Sequence, residues 1–279
     1  MEKYRMLRQL LLEREVLMPA QLCEAPLAHR DELGLVHTGD YLEQVFGGGL
    51  DAAAQRRIGL PWSEELVLRS RASVGGTLAA TREALERGIS GNLAGGTHHA
   101  FADHGEGYCV FNDIAVAARV VQRAGAIGRA AVIDLDVHQG NGTAAIFADD
   151  ETVFTFSIHG EKNFPFRKQR SHLDVGLADG VGDDEYLEAL RHHLPQVIDR
   201  ALPDLLFYQA GVDALAEDSL GRLSLTLAGL RARDRYVLET ARAKGLPVVL
   251  TMGGGYARPI SLTLEGHVGT YETAVAIFG

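Results

Sequence analysis

In the run Ala130-Ala-Val-Ile-Asp-Leu-Asp-Val-His-Gln-Gly-Asn-Gly-Thr143, two carboxylates and an imidazole recur at every second position: Asp134, Asp136 and His138. The apolar residues Ala130 to Ile133 read as a buried strand of a parallel sheet. Side chains alternate across a strand, so the three polar groups are expected on one face at its carboxyl end. Gly140-Asn-Gly-Thr143 then supplies a turn and a helix start. Carboxylates and an imidazole converging there would make a metal nest. A merely solvated strand-to-helix turn is the plainer alternative, and glycines beside an Asp-Leu-Asp-Val-His run count against it.

Other chemistry-bearing residues fall at the ends of other apolar runs. Asn92-Leu-Ala reads as a strand running into Gly95-Gly-Thr-His-His99. Thr152-Val-Phe-Thr-Phe-Ser157 is β-branched and aromatic, as strands are, and is followed by His159. Asp204-Leu-Leu-Phe-Tyr208 leads to Gln209-Ala-Gly-Val-Asp213, and Pro247-Val-Val-Leu-Thr251 to Gly253-Gly-Gly-Tyr256. Taken singly, Asp213 could be a helix cap and Tyr256 a turn aromatic. Five such coincidences at one rim argue for a site, because open α/β sheets bind ligands at strand carboxyl ends.

Helical patterns alternate with these strands. Residues 63–87 have helical spacing, with Ser63 as N-cap and Gly88 past the end. Helices are also expected over 113–123, 184–200, 226–243 and from Ser261 onward, with Pro195 kinking or ending the third. No linker or repeat interrupts the order, so residues 1–279 are expected to form one catalytic domain. At 279 residues and 46% hydrophobic content the chain can bury a large core. A net charge of −10 argues against a nucleic-acid-binding body. The only cysteines, Cys23 and Cys109, cannot form a disulfide framework, which suggests a reducing, cytoplasmic setting. The N-terminal charges leave no signal-peptide core, and no apolar stretch is long enough to span a membrane.

Taken together, Gly-Gly-Thr-His-His-Ala, Tyr-Cys-Val-Phe-Asn-Asp, Asp-Leu-Asp-Val-His-Gln-Gly-Asn-Gly-Thr, Gly-Val-Asp-Ala-Leu and Gly-Gly-Gly-Tyr resemble the zinc-dependent histone deacetylase family. That family includes acetoin-utilisation and acetylpolyamine deacetylases. The resemblance runs from Val36-His-Thr-Gly-Asp-Tyr-Leu42 almost to the end. Gln139 stands where many members have a second His, and Asn141 where class I members have Asp, a form similar to class IV and to short bacterial homologues. The implied fold is the arginase-deacetylase three-layer α/β/α sandwich with an open, mostly parallel sheet.

The resemblance implies that Asp136, His138 and Asp213 hold Zn2+, although so oxygen-rich a set would also suit Fe2+. It makes His99 the general base, taking a proton from the attacking water and returning it to the leaving amine, with His98 acting electrostatically. Asp134 would orient His98 and, near Ser157, help hold a structural K+ or Na+. Asn141 would orient His99 less strongly than a carboxylate could. Tyr256 would donate to the tetrahedral oxyanion. Gly107, Tyr108 and Phe164 match walls of the acyl-lysine tunnel, though ordinary core packing is the alternative for the two aromatics. Leu220 lies where polyamine-selective relatives carry glutamate. Cys109 reads as a small buried residue.

The expected activity is metal-dependent removal of an acyl group from an acylated lysine in a peptide or protein. A small acylated amine, of acetylpolyamine or acetoin-utilisation type, is the alternative substrate. An arginase-like ureohydrolase would need a two-metal cluster, and a non-catalytic acyl-lysine binding module would normally have lost Tyr256 or a ligand. The Gln139 and Asn141 pattern hints, by resemblance, at acyl groups longer than acetyl. Substrate identity, metal and oligomeric state are not encoded in any motif.

Overall fold

Residues 2–279 are described by a computed structural model. Six strands form one parallel sheet: β1 (Ile89–Asn92), β2 (Ala130–Asp134), β3 (Val153–Gly160), β4 (Leu173–Leu177), β5 (Leu205–Gln209) and β6 (Val248–Thr251), in the order β1-β6-β5-β2-β3-β4. Ten α-helices surround it: α1 (Glu2–Glu13), α2 (Arg30–Leu33), α3 (Gly39–Phe46), α4 (Ala52–Ile58), α5 (Glu64–Arg87), α6 (Asp113–Arg123), α7 (Asn141–Ile146), α8 (Asp183–Ala201), α9 (Leu227–Ala243) and α10 (Ile260–Phe278).

Strand alternation sorts the core into two layers. Ala131, Ile133, Phe156, Leu206, Tyr208, Val248 and Leu250 pack with α1, α8, α9 and α10. Their neighbours Ala130, Val132, Val153, Leu205, Phe207 and Val249 pack on the other face with α5 and α6. The strands therefore read as continuous apolar runs because both faces are covered. This is the three-layer arginase-deacetylase sandwich. At about 25 cal/mol per Å² of apolar surface removed from water, these two layers are the main source of stability.

Several sequence expectations need correction. The first strand is 89–92 rather than 92–94, because the side chain of Asn92 accepts from Ala94 N and already starts the turn. Pro195 does not end α8, which runs continuously through it. The edge strand β4 was not expected, although Leu173-Asp-Val-Gly-Leu alternates as a half-exposed strand should. Helices α1 to α4 precede the first motif-bearing turn and were not expected either; α3 and α4 are short and capped by Thr38 and Asp51.

The topology fixes where a site can lie. The connection from β2 leads towards β3, whereas that from β5 leads away to β6, yet β2 and β5 are paired neighbours. Their carboxyl ends therefore open a crevice at a topological switch point. Asp136 and His138 follow β2, and Asp213 follows β5.

Candidate metal and catalytic centre

β2 stops at Asp134, so Asp136 and His138 sit in the following loop and not on the strand itself. The alternation nonetheless persists. Leu135 and Val137 enter the core on the α8–α10 side, which turns the intervening polar residues the other way. Two local bonds hold this course: Asp136 N donates to Asp134 Oδ1 at 3.2 Å, and His138 N to Asp136 Oδ1 at 3.0 Å. Beneath the loop, the fully buried Arg233 donates through Nη1 to Gly211 O at 2.6 Å and Leu135 O at 3.2 Å. One side chain thus ties the β2 loop to the β5 loop. Its charge is met by Asp234, 2.8 Å away, which also accepts from Tyr208 and Thr270.

Asp136, His138 and Asp213 present ligand atoms that all lie within 4.8 Å of one another. His138 Nδ1 is 3.1 Å from both Asp136 Oδ1 and Asp213 Oδ2. The other carboxylate oxygens are fixed from behind: Val137 N donates to Asp213 Oδ1 at 2.8 Å, and Gly254 N to Asp136 Oδ2 at 2.7 Å. A Cβ on Gly254 would lie within 1.8 Å of Asp213 Oδ2, so only glycine lets that loop approach. Burial disfavours charge on His138, but hydrogen bonds and charge from Asp136 and Asp213 outweigh it and raise the imidazole to about 10. The pocket therefore calls for positive charge, and two carboxylates with one imidazole nitrogen fit a divalent transition metal while leaving positions for water and substrate. Asp134 departs from the trio, since its Oδ2 is committed to His98.

The two adjacent histidines are held in opposite states. Their ring centroids are 4.1 Å apart and both are buried. His98 Nδ1 meets Asp134 Oδ2 at 2.7 Å; burial opposes its charge, but the carboxylates of Asp134 and Asp136 prevail and raise it to about 9. His99 Nδ1 meets the neutral Asn141 Oδ1 at 2.7 Å. Burial and the neighbouring His98 charge push His99 well below the usual range. The two neighbouring imidazoles are therefore biased apart, His98 towards its charged form and His99 towards its neutral one. The loop carrying them is anchored by Asp113 at the start of α6, which accepts from Gly96 N at 2.8 Å and Thr97 N at 2.7 Å.

Of the remaining expected residues, Gly107 and Phe164 stand directly against the histidines. Gly107 (φ +55°) lies so close to His99 that an added Cβ would be 2.7 Å from its Cδ2 and 3.1 Å from Phe164 Cε1. Tyr108 has φ +66°, rare for a non-glycine, and is 55% exposed, which rules out core packing. Phe164 stands edge-on to His99 with centroids 5.0 Å apart. Tyr256 is 39% exposed, and burial, then nearby acidic groups including Tyr4 and Asp213, raise its phenol so that it stays protonated. Leu220 is exposed, and its carbonyl accepts from Asn163 Nδ2 at 2.8 Å. Cys109 is buried, as expected.

Some positioning residues were missed. Asp218 accepts from Tyr256 N, Leu220 N and Gly221 N at 2.6, 2.8 and 2.9 Å, and so sets the Tyr256 loop. Asn141 Nδ2 reaches Glu106 Oε2 at 3.4 Å, and Arg233 clamps the metal loops. Asp218, Glu106 and Arg233 stand in no motif; the Arg233-Asp234 pair at core-facing positions of a helical pattern is the one available signal.

A family model described as the histone deacetylase domain matches residues 1–268. The chain belongs to the histone deacetylase family. It is 52% identical over 267 residues to an uncharacterised protein of Picosynechococcus sp., covering 96% of this chain and 89% of that one. It is 33% identical over 251 residues to histone deacetylase 2 of Arabidopsis thaliana, covering 85% of this chain and 65% of that one. Among solved structures, a homologue from Aquifex aeolicus superposes with a TM-score of 0.84 at 25% identity, covering 96% of this chain and 76% of that one. Family membership supports a deacetylase-type hydrolase acting on acetylated amines and implies a metal, typically zinc. No described helix is long and apolar enough to cross a membrane.

Proposed function

We propose that this protein hydrolyses N-acyl-lysine in peptides or proteins, with Zn2+ held by Asp136, His138 and Asp213. The observation that carries the reading is the histidine pair beside that trio, one imidazole kept charged by Asp134 and the other kept neutral beside Asn141. A metal held by these three residues would supply Lewis acidity for the acyl carbonyl and for the attacking water. His99 accepts the proton of that water and passes it to the departing lysine amine. His98, charged throughout, favours the negative charge that develops nearby. The Tyr256 hydroxyl donates to the carbonyl oxygen as it becomes an oxyanion. Gly107, Tyr108 and Phe164 wall the methylene stem, and Leu220 offers no carboxylate to a polycation. A monovalent cation belongs, in this reading, beside Asp134 and Ser157, which are register partners on β2 and β3.

The acyl group, in the same reading, is longer than acetyl. A cavity of about 670 Å³ borders Gly255 and Tyr256 and is lined by Tyr4, Met6, Leu60, Val110 and Phe111. Each methylene buried there contributes about 0.8 kcal/mol, close to fourfold in binding. Catalytic efficiency on lysine peptides should therefore rise from acetyl to butyryl and octanoyl and vanish with a chelator. A monotonic fall from acetyl upward would leave a plain deacetylase with a closed acyl pocket. Turnover of a small acetylated amine but of no lysine peptide would replace the substrate class.

A further inference from the structure

Gln139 follows the ligand His138 directly and is 1% exposed, yet it does not face the metal trio. Its Nε2 donates both protons, to Gln169 O at 2.6 Å and to Asp174 Oδ1 at 2.7 Å, while its Oε1 accepts from Gln169 N at 2.8 Å. The other oxygen of Asp174 accepts from Ser171 N at 2.8 Å. A primary amide offers two donors on one atom and an acceptor beside it, and all three are used here. An imidazole, with its nitrogens on opposite sides of a ring, cannot reproduce that fork.

What Gln139 grips is the segment between β3 and β4. Phe164 lies on it, edge-on to His99 and 6.4 Å from the His138 ring between centroids. Lys168 Nζ closes the same segment on Asn163 O and Pro165 O at 2.6 and 2.8 Å. Asn163 extends it to the next loop, donating to Leu220 O and accepting from Arg222 N at 3.2 Å. Hydrogen bonds and the backbone between them therefore connect the residue beside a metal ligand, through Gln169 and its neighbour Lys168, to the segment that carries Phe164, and through Asn163 to Leu220.

The geometry points to Gln139 as a positioning residue that latches the Phe164 wall of the tunnel to the metal loop, and so sets how tightly the substrate stem is held. The inference rests on the deacylase reading for its kinetic consequence, though not for the latch itself. Loss of the latch should weaken ground-state and transition-state binding alike, which raises KM more than it lowers kcat.

The test compares Gln139→Glu, Gln139→Met and the double variant Gln139→Glu/Asp174→Asn on the purified protein. In Gln139→Glu the new carboxylate faces Gln169 O and Asp174, so KM for an acyl-lysine peptide should rise at least tenfold. The turnover number should change less than threefold, and metal content should stay that of the parent. Gln139→Met, similar in length and uncharged, should move KM in the same direction by a smaller factor. Adding Asp174→Asn returns a donor to the carboxylate introduced at position 139 and should recover a large part of the KM. Backbone amide exchange over residues 163–171 should quicken in both single variants and slow again in the double. That measurement needs no substrate, so it reads the latch even if no acyl-lysine is turned over. Unchanged exchange and unchanged KM in both single variants would overturn the inference. So would loss of metal and kcat in parallel, since Gln139 would then act through His138.

Discussion

Asp136 and Asp213 at the floor of the candidate site are at most 1% exposed, whereas Tyr108 and Leu220, expected at its mouth, are 55% and 46% exposed. The floor is held by charge: carboxylates around His138, and the buried Arg233 bonded to the two loops that carry the ligands. The mouth is held by side-chain amide hydrogen bonds from Gln139 and Asn163, one of them to the Asp174 carboxylate, and by the tight turn at Gly107 and Tyr108. Buried charge is costly to leave unpaired, so the floor tolerates one arrangement. Amide hydrogen bonds of this kind are worth about 1 kcal/mol each, so the side chains they hold, Phe164 and the exposed Leu220, can vary more than the floor. Chemistry is thus fixed where the fold is least adjustable, and selectivity sits where adjustment is cheap.

The sharpest way to break this contrast is at the floor. Asp136→Ala, His138→Ala and Asp213→Ala should each abolish activity and bound metal, because one of three protein ligands is lost. Elemental analysis of the parent protein should find about one catalytic transition metal per chain. Full activity in metal-free protein would remove the floor's role. Tyr256→Phe comes next. Its hydroxyl acts on charge present only in the transition state, so turnover should fall by roughly two to three orders of magnitude with metal retained. His99→Ala should be more damaging than His98→Ala in the same assay, and equal, mild losses in all three variants would refute the assigned roles.

The floor was legible in the sequence for a physical reason. Asp136, His138, Asp213, His98 and His99 are residue types that are rarely buried, placed at the ends of apolar runs, and their spacing survives as geometry. The sheet could be read too, because strands covered on both faces announce themselves as apolar runs. What was missed depends on partners distant in sequence. Asp218 serves the Tyr256 loop 38 positions away, and Arg233 reaches Leu135 across 98. Neither distance leaves a local pattern. Gln139 was visible only as a departure from a family motif; its grip on Asp174 and Gln169 required β4, a short edge strand whose half-exposed alternation is a weak signal.

A smaller effect sharpens the division of labour within the floor. Burial and the neighbouring His98 charge push His99 well below the usual range, and the neutral Asn141 opposes this only weakly, so activity should persist to lower pH than an ordinary imidazole base would allow. In Asn141→Asp a carboxylate would favour the imidazolium and raise the His99 pKa. The base works only when unprotonated, so the acid limb of kcat/KM should move to higher pH. A pH profile of the variant checks the sign, and an acid limb that stays in place would show that another group controls it.

The smallest expected effect lies at the mouth. Leu220 is exposed, and the nearby Asp218 already accepts from three backbone donors, so position 220 itself offers no carboxylate to a distant ammonium. Leu220→Glu would supply one. An exposed ion pair contributes only about 0–1 kcal/mol, so efficiency on an acetylated polyamine should rise by no more than about fivefold. Salt should erase most of that gain, because the pair is open to solvent. Efficiency on a neutral acyl-lysine peptide should change less if, as proposed, its stem lies between Gly107, Tyr108 and Phe164 rather than against Leu220. Comparing both substrates at low and high ionic strength separates the outcomes. A large, salt-insensitive gain would mean that position 220 is buried in the complex and that the mouth closes around substrate, which would make it a stiffer element than the exposure of Tyr108 and Leu220 implies.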